Sequence, residues 1–159
     1  MLTMVTAVED MPGLGHEEAM SLAETEYERL LTFVDGLSGD EWTRRTDCPE
    51  WDVQAVVGHL LGMLELLADP QERVRQLKTA AEIAARTGRL RLDAMTALQV
   101  REHAHLTPDE LRRALHDAVP RALAARSATT PEQRAGTYSP VHSAVTRVGV
   151  EPTNIRLST

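Results

Sequence analysis

The chain has 159 residues, 42% hydrophobic but only 3% aromatic, with a formal net charge of −7. That is enough for one domain with an aliphatic core, which favours helices packed on helices over sheets. Residues 1–72 carry 16 acidic against 3 basic side chains and residues 73–159 carry 8 against 14, with the downstream arginines scattered rather than gathered, so a nucleic-acid partner is not expected. A single cysteine, Cys48, excludes an internal disulfide framework and fits a reducing cytoplasm. The N-terminus lacks the basic and apolar regions of a secretory signal, and the longest apolar run, 53–68, is interrupted by Gln54, His59 and Glu65; neither export nor a membrane span is expected.

The first helix is expected from about His16 to Leu37, where Met20, Ala23, Tyr27, Leu30, Val34 and Leu37 recur at spacings of three and four. Residues 1–15 before it read as a flexible segment. Ser38-Gly39-Asp40-Glu41 has the form of a capping box, with Leu37 and Trp42 placed as a hydrophobic staple. A second helix starts behind an Asp52 cap, and its apolar residues cover well over half the circumference, making it central. Asp69-Pro70 caps and opens a third helix, with Val74, Leu77, Ala81 and Ala84 as its apolar line and Gly88 as its end. A short fourth helix from Asp93 to His103 turns Met95 and Leu98 inward. Leu106-Thr107-Pro108-Asp109-Glu110-Leu111 combines staple, cap, first-turn proline and capping-box acid; the helix it starts buries Leu111, Leu115, Ala118 and Ala122 and bends at Pro120. Residues 127–159, with three prolines and two glycines, show no sustained period and read as irregular.

His59 stands out, an imidazole inside the greasy second helix. Taken alone, such a histidine is more often a core residue bonded to a carbonyl or carboxylate than a metal ligand. Gly58 and Gly62 around it signal either close approach of a neighbouring helix or cleared space beside the ring. Catalytic metal sites use about three protein ligands, often two of them one helical turn apart. No partner at that spacing accompanies His59, His103, His116 or His142; His105 has Asp109, but that pair straddles a helix start. Cys48 reads as a small buried hydrophobe rather than a nucleophile, because the nearby Asp52 carboxylate discourages a thiolate.

The run LSGDEWTRRTDCPEWDVQAVVGHLLG, residues 37–62, resembles the N-terminal metal-binding domain of mycothiol-dependent maleylpyruvate isomerases, within the wider DinB-like helical bundles. The resemblance rests on Glu41-Trp42, on Thr46-x-Cys48-Pro49-x-Trp51, and on Val57-Gly58-His59-Leu60. DAMTALQVREHAHLTPDELRRAL, residues 93–115, continues it, so that residues 17–126 are covered. The resemblance implies an all-α DinB-like bundle over 16–126, a divalent metal such as zinc with His59 as its first ligand, and mycothiol as the thiol cofactor. It also implies a small-molecule substrate that the thiolate isomerises or modifies. The remaining ligands of the family, a carboxylate and a histidine one turn apart on a later helix, are not found, and 127–159 does not resemble the family. The expectation is therefore a truncated member that binds zinc weakly or not at all, with His103, His105 and His116 as the local recruits for a fuller site. The alternative is an inactive remnant serving as a helical interaction module, dimerising through its exposed core.

Overall fold

The computed structural model describes residues 13–133, and the chain divides after Ser127 into two units. The described residues of the first form five α-helices in order: α1 (His16–Gly36), α2 (Val53–Ala68), α3 (Pro70–Thr87), α4 (Arg91–His103) and α5 (Pro108–Ser127), with one turn of 3-10 helix at Glu41–Thr43. The described residues contain no strand, only an isolated antiparallel bridge between Arg45 and Asp52. No described helix is long and apolar enough to cross a membrane.

The expected helix starts form as the side chains dictate. Asp52 accepts from the Ala55 amide at 2.8 Å, and Asp69 accepts from the Gln71 amide at 2.7 Å ahead of Pro70. Gly88 ends α3 in the left-handed region at φ 70°, where a side chain would be strained. The box at Thr107 is complete: the Thr107 amide donates to Glu110 Oε2 at 2.8 Å, and the Glu110 amide reaches Thr107 Oγ1 at 3.4 Å. The one at Ser38 is half-formed. Glu41 accepts from the Ser38 amide at 2.9 Å, but the Glu41 amide goes to the Ser38 carbonyl, closing a 3-10 turn instead of an α-helix.

Helix α2 is the hub, packing against α5, α4 and α3, while α1 packs on α5 and α3 on α4. One core cluster joins Val34, Leu37, Trp42, Val57, Leu61 and Leu64 to Leu111, Leu115, Ala118, Val119 and Ala122. A smaller one holds Ala80, Ala94 and Met95. Helix α5 buries every residue expected of it and continues through Pro120. Arg112 ties it to the end of α1: Nε donates to the Val34 carbonyl at 3.2 Å and Nη2 to the Leu37 carbonyl at 2.6 Å. These are carbonyls at a helix C-terminus, where a cation is favoured. The same guanidinium lies 5.2 Å from the centroid of the buried Trp42 ring.

Two expectations are corrected. The inward face of α3 is not Val74 and Leu77, which are 66% and 54% exposed; Gln76 and Ala80 are buried there, with Ile83 and Ala84 part-buried. Cys48 is exposed rather than buried, because it lies in the loop before α2 and not on a packed element. In the second unit, only 128–133 are described. Thr130 and Gln133 form a reciprocal cap at 2.9 and 3.3 Å, and 131–133 begin a helical turn in the segment expected to be irregular. The rest of that segment lies outside the described residues, as do residues 1–12 of the expected flexible N-terminal stretch.

Candidate functional site

The loop leading into α2 is organised by one hydroxyl. Thr46 Oγ1 donates to the Trp51 carbonyl at 3.0 Å and accepts from the Cys48 amide at 3.1 Å, while the Trp51 amide donates to the Cys48 carbonyl at 3.0 Å. Arg45 donates to the Pro49 carbonyl, and the Val53 amide donates to the Arg44 carbonyl at 3.0 Å. The Thr-x-Cys-Pro-x-Trp spacing is thus a folded turn. It sets the Trp51 ring against the His59 ring, with centroids 5.6 Å apart and planes tilted by 42°.

His59 is half-buried on α2, and its Nδ1 lies 2.8 Å from Gln99 Oε1 on α4. Gln99 is fully buried; its Nε2 donates to Oε1 of the equally buried Gln76 on α3 at 2.8 Å. Gln76 Nε2 in turn donates to the Gly62 carbonyl at 3.1 Å and to Glu72 Oε1 at 2.9 Å. Glu72 also pairs with Arg75 at 2.5 Å, and that guanidinium bridges to Glu102 on α4 at 2.7 Å. The Arg75 contact, helped by Gln76, outweighs burial and holds the Glu72 carboxyl below the usual carboxylate range.

The glycines let the helices close around this chain. A Cβ at Gly62 would meet Gln99 carbons at 2.7 and 2.8 Å, and one at Gly58 would meet His103 Cβ at 3.1 Å. Of the two readings of the glycine pair, close approach of a neighbouring helix is the one observed, and the neighbour is α4.

His103 is buried against the same seam. Its Nδ1 donates to the Gln99 carbonyl at 2.7 Å, and its Nε2 lies 3.1 Å from Glu65 Oε2. Both partners are acceptors, so the ring is best served as an imidazolium with two donors. Burial opposes that charge, but the Glu65 carboxylate and the Gln99 carbonyl outweigh it, and the His103 pKa is raised. His105 is exposed, and His116 pairs with Asp35 at 3.0 Å on the α1–α5 side. His142 lies outside the described residues.

For a divalent metal, His59 fits as one ligand: Nδ1 is occupied and Nε2 has no hydrogen-bond partner among the described residues. A second donor is not assembled beside it. No three His, Cys, Asp or Glu residues among the described ones are grouped to hold a metal ion. The described residues therefore do not complete a metal centre, and no chemical step is assigned through one.

Hydrophobic periodicity could not reveal Gln76 and Gln99, because both occupy inward positions that a pattern search reserves for apolar side chains. The signal that could have found them is register: Gln76 stands four residues before the buried Ala80, and Gln99 stands four residues after the inward Met95.

No curated protein and no solved structure matches the chain. A protein family does, over residues 23–151, a span that includes α2, α4 and α5 and extends past residue 126. The chain belongs to the mycothiol maleylpyruvate isomerase N-terminal domain family.

Proposed function

We propose that the chain is the metal-binding domain of a thiol-dependent isomerase or transferase that uses mycothiol in the cytoplasm, with His59 contributing one ligand to a divalent metal, zinc by preference. The observation that carries this reading is the state of His59. It is held by a buried amide at Nδ1, as metal-ligating histidines are held by a partner on their second nitrogen, and its Nε2 is left for a ligand. Further donors come from outside 13–133, from the thiol itself or from a second copy of the chain. What the described residues do is orient the ring between Trp51 and Gln99.

The test is metal content after dialysis against dilute zinc, with and without a small thiol, for the wild type and His59→Ala. Zinc retained by the wild type in the presence of the thiol and lost in the variant is the expected result, the chain without thiol holding zinc weakly or not at all; equal retention by both overturns the reading. Zinc absent from both, even with thiol, favours the second reading, a helical interaction module. That alternative is supported by Val74 and Leu77, neighbours three residues apart on α3 that are 66% and 54% exposed.

A further inference from the structure

We propose that Gln76 and Gln99 act as a relay of fixed polarity that decides which nitrogen of His59 carries the proton, holding the neutral ring as the Nδ1–H tautomer with its lone pair on Nε2. The relay is anchored at its far end. Gln76 faces the Gly62 carbonyl at 3.1 Å and Glu72 Oε1 at 2.9 Å; a backbone carbonyl and a carboxylate paired with Arg75 can only accept. Those two acceptors demand the NH₂ end of Gln76, which leaves Gln76 Oε1 toward α4. That oxygen demands the NH₂ end of Gln99, at 2.8 Å, which leaves Gln99 Oε1 toward His59. An amide oxygen 2.8 Å from Nδ1 demands a proton there.

Reversing the order would put the Gln76 oxygen against both the Gly62 carbonyl and the Glu72 carboxylate, two repulsive contacts in a buried setting where unpaired polar groups are costly. A free imidazole has no such constraint. The tautomer follows from hydrogen-bond geometry alone; its consequence for a metal, that Gln76 and Gln99 are positioning residues for ligation through Nε2, rests on the proposed function.

The experiment uses the full metal-free chain labelled with ¹⁵N at histidine, at alkaline pH where imidazole side chains are neutral. Long-range ¹⁵N–¹H correlation should show His59 Nε2 as the nitrogen without a proton and Nδ1 as the one bearing it. A wild-type ring with its proton on Nε2 overturns the relay, and this arm requires no variant. Gln76→Met, close in volume and not in contact with the ring, should leave the fold's amide spectrum recognisable while drawing the two ring-nitrogen signals toward each other. A Gln76→Met spectrum with His59 unchanged would show that Gln76 only fills space, and would also overturn the proposal. Zinc affinity should fall about 10-fold or more in the same variant, as for loss of outer-shell partners elsewhere. The proposed tautomer found together with zinc that never touches His59 would support the relay and defeat the metal reading.

Discussion

Thr107 offers its amide and its hydroxyl to the same Glu110 oxygen, at 2.8 and 2.7 Å, and accepts the Glu110 amide in return. Those Thr107 donors hold the Glu110 carboxyl below its usual range. The cap starts the helix that supplies Leu111, Leu115 and Ala118 to the main core, so its loss should be felt globally. Thr107→Ala is expected to cost about 1 kcal/mol, read as a lower denaturation midpoint with unchanged slope. His103 makes a second residue-scale prediction. Its folded pKa lies above its unfolded one, so the stability it contributes is fully present below the ordinary histidine value of 6.5 and is lost as pH rises through the folded value. Denaturation across that window should show stability falling with pH, and Glu65→Gln, which removes the carboxylate at 3.1 Å, should flatten the fall.

Helices α2 and α4 meet through glycine. At Gly62 an added methyl would sit 2.7 Å from Gln99 Cγ and 2.8 Å from Gln99 Cβ, atoms close to the backbone and unable to swing aside. Alanine gains about 1 kcal/mol in helix propensity over glycine, but pushing α4 off α2 costs about 1–3 kcal/mol as overpacking does, besides disturbing the Gln99 contacts. Gly62→Ala should therefore destabilise the protein, and more than Gly58→Ala, whose nearest neighbour is at 3.1 Å; thermal melts of the two variants decide the order. The sequence was most legible in elements whose packing is purely apolar. Helix α5 declared both its cap and its buried face, and α2 declared its central place through apolar residues around most of its circumference. Helix α3 misled, because its inward position is filled by Gln76, and Val74 and Leu77 lie on the exposed side. A polar residue buried for its hydrogen bonds is invisible to a rule that sorts residues by hydrophobicity.

Across the described part of the molecule, α2 separates two kinds of interior. Toward α1 and α5 it contributes Val57, Leu61 and Leu64 to an apolar core. Toward α3 and α4 it presents Gly58, Gly62 and His59 to a buried polar seam. His59 was legible as an oddity in the sequence, and the family resemblance supplied only an expectation of its role. The seam was not legible, since it is built from residues 40 positions apart in the chain that meet only once the helices pack. The central claim is that this seam prepares one atom, His59 Nε2, for a metal. The measurement that tests it most directly is a zinc titration of the ¹⁵N-histidine-labelled protein followed at every ring nitrogen. His59 Nε2 is expected to shift first while His59 Nδ1 keeps its proton; zinc that moves His103, His105, His116 or His142 and leaves His59 Nε2 unmoved would contradict this.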